Sequence, residues 1–206
     1  MSTVLPPVEK IRPGDNPFRS EQVDRLAYVG GLGPTSAELA ERFMRRGQRG
    51  AIVGPKGRGK STLLGELIHH LEVSHGLRGE RIQVAADRSN LAEVRRAAMG
   101  RRGLLVIDGY DLLPVRLRGI LWRRRLLLIT SHRRVWVPTL FRCRTTPALL
   151  GELIRELSPP TLAGMSQAQL ASLFHRHGGN LRMALRELYD EAADGGPAAG
   201  DEGGRP

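Results

Sequence analysis

Nine consecutive residues, Gly54, Pro55, Lys56, Gly57, Arg58, Gly59, Lys60, Ser61 and Thr62, carry the spacing G-x-x-x-x-G-K-[ST]. Three glycines let a backbone curl until successive N–H groups converge, and converging N–H groups attract phosphate oxygens. A helix opening at Lys60 would add the positive end of its dipole to the same point. In such a loop Lys60 reaches the β- and γ-phosphates, and the Ser61 hydroxyl ligates Mg²⁺. The setting agrees with the pattern. Ala51, Ile52 and Val53 lead in as an apolar run, and Leu63, Leu64, Leu67, Ile68 and Leu71 lead out with helical periodicity.

Further residues have types suited to the same chemistry. Leu104 to Ile107 is an unbroken apolar run that ends in Asp108, whose carboxylate would face the metal shell from the edge of a sheet. Hydrolysis also needs a group that orients water. Gly109 follows Asp108, and the next acid is Asp111, which suits either that task or an ordinary loop or N-cap position. A second apolar run ends in Thr130 and Ser131, whose hydroxyls suit a γ-phosphate or the attacking water. Arg133 or Arg134 could neutralise charge on a transferring phosphoryl group, within one chain or across a subunit interface. Both arginines read equally well as solvated side chains. Arg182 stands in the first turn of a predicted helix, where a cation opposes the dipole unless an anion partners it.

These residues need strands and helices to hold them. Predicted strands cover 50–53, 81–85, 104–108, 126–130 and 139–143. Predicted helices cover 20–28, 35–46 with a Thr35/Glu38 capping box, 60–75 and 90–99. A short arginine-rich segment precedes the strand at 126–130. Strands alternating with helices argue an α/β domain, and two-sided apolar strands argue a parallel sheet. From Thr146-Pro147 the pattern is helical only. Helices are expected from 146 to 157, from Ser166 with Gln169 as its cap through Phe174, and from Asn180 through Tyr189. The expected organisation is a flexible segment over 1–15, a nucleotide-binding domain over 16–145, helices over 146–193 and a disordered tail over 194–206.

The 206 residues are 40% hydrophobic and only 4% aromatic, enough for an aliphatic core. A single cysteine, Cys143, excludes an intrachain disulfide and suits a reducing compartment. No apolar run has the length of a membrane span or signal core, so a cytoplasmic location is expected. The formal charge is +11, and lysine occurs only at 10, 56 and 60. Between Asp111 and Glu152 there is no acid, while arginines stand at 116, 118, 123, 124, 125, 133, 134, 142 and 144. Such a block makes a positive surface that could meet nucleic acid, although arginine-rich composition produces the same pattern. The six histidines, His69-His70 among them, show no metal-ligand spacing.

Taken in order, the phosphate loop, the strand ending in Asp108, the polar strand end Thr130-Ser131 and the Gly-x-x-Arg helix start at Arg182 resemble the AAA+ and STAND branch of P-loop ATPases. The resemblance spans 16–192 and is similar to small bacterial ATPases of the secretion and transposition-helper type. It implies a P-loop NTPase fold in which a five-stranded parallel sheet is followed by a small all-helical lid. It implies ATP and Mg²⁺ as ligands, a nucleotide-dependent switch or slow ATPase, a protein partner and nucleotide-dependent self-association. Asn16-Pro17-Phe18 would border the base. Asp108-Gly-Tyr-Asp111 also resembles the switch motif of NACHT-type members, with Leu112 in place of a closing glutamate. Two alternatives stay open: a nucleic-acid-associated ATPase using the 116–144 surface, and a small-molecule kinase. The second lacks an acid/base pair on the substrate side.

Overall fold

The computed structural model describes residues 12, 15–26, 28, 33–100, 103–157 and 165–194. They form two compact units. The larger is Tyr28–Arg144; the other combines the described residues up to 26 with those from Thr145 onward.

The larger unit is an all-parallel sheet with helices on both faces. Its strands are β1 (Arg49–Val53), β2 (Gly79–Gln83), β3 (Leu104–Asp108), β4 (Leu127–Ser131) and β5 (Thr139–Arg142), in the spatial order β2-β3-β4-β1-β5. Each central strand buries both faces, as the apolar runs require. Ala51, Val53, Leu105, Ile107, Leu127 and Ile129 face one core, with residues from α4 (Leu91–Met99) and α5 (Val115–Leu121). Ile52, Leu104, Val106 and Leu128 face the other, with residues from α2 (Ser36–Arg45) and α3 (Lys60–His75). Leu63, Leu64, Leu67 and Leu71 of α3 are fully buried there. Each leucine contributes roughly 2 kcal/mol by leaving water.

The Thr35/Glu38 capping box that opens α2 forms in both directions, with Glu38 Oε2 accepting from Thr35 N at 2.8 Å. Two elements differ from expectation. Strand β2 starts two residues earlier than 81, because Gly79 through Gln83 pair in register with Leu104 through Asp108. Residues 115–121, in the arginine-rich segment before β4, form helix α5. Leu113, Leu117 and Leu121 are buried at four-residue spacing, while Arg116 is exposed and Arg118 half-buried. Asn90 precedes α4 but makes no cap bond. Its amide instead accepts from Ala85 N at 3.0 Å and donates to Gln83 O at 2.9 Å, tying the loop after β2 to the strand end.

The other unit contains α1 (Ser20–Arg25), α6 (Pro147–Leu157), α7 (Gln167–Arg176) and α8 (Leu181–Asp194). Helix α1 ends three residues before the expected 28. Capping occurs where serine, threonine and asparagine predict it: Ser166 and Gln169 form a complete box, Thr146 Oγ1 accepts from Leu149 N, and Asn180 Oδ1 accepts from Met183 N. An ideal Cβ on Gly151 of α6 would lie 2.9 Å from a Leu170 methyl, so α6 and α7 approach closely where that glycine stands. The expected helix stop at Ser158-Pro159-Pro160, all of the expected flexible segment 1–15 except residues 12 and 15, and the tail beyond 194 lie outside the described residues. Among the described residues no helix is long and apolar enough to cross a membrane.

Candidate functional site

The sheet order sets where the site must be. Strand β1 runs into α3 on one face, and β3 is followed by α5 on the opposite face. Connections that leave in opposite directions open a crevice at the carboxyl ends of the strands. β4 lies between β1 and β3. The carboxyl ends of these three neighbours therefore bring together the Gly54–Gly59 loop, Thr130-Ser131 and Asp108.

The loop is built from backbone contacts. Gly54 N donates to Ser131 O at 3.1 Å, which extends the β1–β4 ladder into the turn. Gly54 has φ +156°, and an ideal Cβ there would lie 2.8 Å from the carbonyl oxygen of Cys143. Only glycine fits that approach. Gly57 and Gly59 take left-handed φ of 73° and 74°, and Gly59 is the residue from which α3 starts. Pro55 and Lys56 are exposed, Gly57, Arg58, Gly59 and Thr62 half-buried, and Ser61 exposed at the head of the helix.

Lys60 is only 8% exposed, although lysine is almost never buried without a partner. Its Nζ donates to Pro55 O at 2.8 Å, across the loop it belongs to. Burial lowers its pKa, and the neighbouring charges of Cys143, Asp111 and Asp108 act in the opposite direction. An ammonium has three donors, and an anion held within the curl would supply the remaining acceptors.

Asp108 is 7% exposed and fully engaged. Its Oδ1 accepts from the Thr130 hydroxyl at 2.6 Å, and its Oδ2 accepts from Arg81 Nη2 at 2.9 Å. Thr130 Oγ1 in turn accepts from Gly109 N at 2.9 Å. The Thr130 hydroxyl thus fixes Asp108 and the turn after it, while Ser131 Oγ accepts from Arg133 N. Each carboxylate oxygen retains a second lone pair, so Asp108 can still accept from a metal-bound water. Thr130→Val removes the hydroxyl from this buried corner and leaves Gly109 N–H and one Asp108 oxygen without it. We expect a loss of about 2–3 kcal/mol in urea unfolding, largely restored in Thr130→Ser.

Asp111 lies in a short 3₁₀ turn, Tyr110–Leu112. His132 holds both of its oxygens: Oδ1 accepts from His132 N at 3.0 Å, and Oδ2 lies 2.6 Å from His132 Nδ1. Burial alone would raise the Asp111 pKa, but these two bonds and the His132 charge lower it overall. Arg118 braces the same turn, with Nε donating to Leu113 O and Nη2 to Asp111 O, each at 2.9 Å. The remaining ring nitrogen of His132 belongs to a side chain that is 42% exposed. Arg133 and Arg134 are exposed beside it.

Three participants were not singled out by type and spacing. Arg81 partners Asp108 from β2. Tyr28 lies against the loop: its ring carbons would be 3.4 Å from a Cβ on Gly59, and its N–H donates to Glu66 Oε1 at 2.5 Å. Its ring also meets Phe141 edge-on at 6.4 Å. His132 meets Asp111 only because β3 and β4 are neighbours. Asn16 and Phe18 belong to the helical unit, where Asn16 Nδ2 donates to Tyr189 O at 2.9 Å and Phe18 is buried. Arg182 occupies the first turn of α8 in that unit.

No protein-family model matches the chain, and no curated protein matches it.

Proposed function

We propose that this chain binds Mg·ATP at the carboxyl edge of its sheet and works as a nucleotide-dependent switch with slow hydrolysis. The observation that carries the reading is Lys60, a buried ammonium enclosed by a glycine loop at a helix head. Backbone N–H groups of 54–62 and Lys60 would hold the phosphates, and Ser61 and Asp108 the Mg²⁺. The ion supplies neutralisation of phosphate charge. Tyr28, beside Gly59, offers an aromatic edge to the base. Adenine rather than guanine follows from the resemblance to AAA+ and STAND ATPases. From that resemblance too, the helices of 146–193 act as a lid, with Arg182 directed to the γ-phosphate in the closed state. Arg133 would serve the phosphoryl group of a neighbouring copy when nucleotide drives self-association. A switch of this kind acts by changing the surface it shows to a protein partner.

In this reading Asp111 orients and His132 acts. In the neutral imidazole with Nδ1–H donated to Asp111, the other ring nitrogen is an acceptor on a side chain that is partly exposed. It takes a proton from water as the water oxygen attacks the γ-phosphorus and the bond to the ADP oxygen breaks. Asp111→Asn puts an amide N–H opposite Nδ1 and selects the wrong tautomer. Single-turnover hydrolysis should then fall on the order of a hundredfold, with Mg·ATP affinity nearly unchanged. His132→Gln should match it. A rate that survives both substitutions would remove this pair from the mechanism. Tight binding with no turnover in any form would leave a nucleotide-gated binding module.

A further inference from the structure

The chain has nine aromatic residues of the Phe, Trp and Tyr types, and the two tryptophans are the only ones exposed. Trp122 is 48% exposed and Trp136 is 65% exposed. They stack on each other with ring centroids 4.8 Å apart and planes 28° apart. The Arg49 guanidinium lies 4.6 Å from the Trp122 ring centre. Its Nε and Nη2 have no hydrogen-bond partner among the described residues, so this guanidinium meets the stack through its flat face.

The three residues come from separate stretches that the fold gathers at one edge. Arg49 is the first residue of β1, Trp122 follows α5 ahead of β4, and Trp136 precedes β5. β4, β1 and β5 are adjacent, so the stack sits at the amino ends of the strands. The Lys60 loop is at the opposite ends, about 17 Å away along a five-residue strand. It is a second location on the same unit. Beside Trp122 the chain supplies exposed cations at Arg123 and Arg125, within a stretch that has no acid from 112 to 151.

We propose that this edge binds single-stranded nucleic acid, with bases stacking on the tryptophan pair and phosphates paired to the flanking arginines. Stacked aromatics within a cationic surface are the two parts of a sequence-tolerant single-strand site. A duplex satisfies the cations but keeps its base faces inside its own stack. An acidic peptide also satisfies them, yet leaves the open face of Trp136 in water. A single strand satisfies both. The inference does not rest on the nucleotide reading and is tested with no nucleotide present.

The two tryptophans are the only ones in the chain, so intrinsic indole fluorescence reports this stack and nothing else. Titrating the full chain with fluorescein-labelled oligothymidylate at low salt should raise anisotropy and quench indole emission together. Affinity should fall linearly on a log–log salt plot, by about 0.7 per phosphate paired. Trp136→Ala should weaken binding on the order of tenfold, while Trp136→Phe, which keeps a stacking face, should retain most of it. Arg123→Gln with Arg125→Gln should flatten the salt slope. Absent binding at low salt, anisotropy without quenching, or a Trp136→Ala chain that binds as wild type would each overturn the proposal. So would equal affinity for duplex, or displacement by polyglutamate at matched charge, which would assign the edge to an acidic protein.

Discussion

Lys60→Met is expected to weaken Mg·ATP binding by roughly a hundredfold or more without destabilising the protein, a combination that few buried substitutions produce. The two effects have one cause. In the folded chain the ammonium is nearly out of water, with one identified acceptor, Pro55 O at 2.8 Å. Burial disfavours the charged form, and the pKa lies below the ordinary lysine value of 10.5. The unfolded chain therefore holds this proton more tightly than the folded one. The sign follows: stability rises with pH between the lowered folded value and 10.5, and below that window the charge is a cost to folding. Methionine has similar length, removes the charge and keeps the packing of the stem. Its urea midpoint should equal or exceed that of wild type at neutral pH. Binding is another matter. A triphosphate supplies the acceptors that the ammonium lacks, and charge-assisted bonds of this kind are worth about 1.5–3 kcal/mol each. Affinity measured by calorimetry should fall by roughly a hundredfold or more. If Lys60→Met binds Mg·ATP as wild type does, the Gly54–Gly59 loop is not a phosphate site. If it unfolds instead, the lysine is a structural strut whose bond to Pro55 outweighs its burial.

Much of this arrangement could be read from one-dimensional pattern, and the reason is local. The capping boxes at Thr35/Glu38 and Ser166/Gln169 involve residues three apart, so their geometry follows from helix pitch. The apolar runs at 104–107 and 127–129 are buried on both faces because a parallel sheet covered by helices leaves no polar face. The sequence was less informative where partners are distant. Helix α5 is obscured because Arg116 and Arg118 interrupt the four-residue spacing of Leu113, Leu117 and Leu121 and exposed Val115 blurs its apolar face. Strand β2 begins at Gly79 because register with β3 decides it, and Gly79 and Glu80 carry no strand propensity. In the candidate site, Asp108 and Thr130 could be named from strand ends, and Asp111 as the next acid after Asp108. That Thr130 holds Asp108, and that His132 holds Asp111, depends on β3 and β4 being neighbours. Trp122 and Trp136 are fourteen positions apart and separated by a whole strand, so their stacking has no local signal at all.

Gly54→Ala should be the most damaging single methyl that can be added to this unit. The added carbon would stand 2.8 Å from the Cys143 carbonyl oxygen and 3.2 Å from the Cys143 Cβ. Neither atom is the end of a flexible side chain. The carbonyl belongs to the stretch that pairs with β1, where Cys143 N donates to Val53 O at 2.8 Å. Relief therefore requires moving the end of β5 or the start of the loop, and the Gly54 N bond to Ser131 O goes with the loop. Together these predict a loss of roughly 2–3 kcal/mol in urea unfolding. Cys143→Ala cannot rescue the double variant, because alanine keeps both the carbonyl and the Cβ. The thiol gives an independent readout. Cys143 is buried and is the single cysteine, and burial pushes its pKa up to about 11, so the folded wild type carries little thiolate at neutral pH. Labelling by a disulfide reagent must then proceed through opening, and Gly54→Ala should accelerate it by roughly fiftyfold if that opening takes the full destabilisation. An unchanged melting curve with unchanged labelling would mean that the loop and β5 are separable, and Gly54 would owe its place to turn geometry alone. Lost stability with unchanged labelling would locate the movement in the loop, away from Cys143, and Mg·ATP affinity should then fall with it.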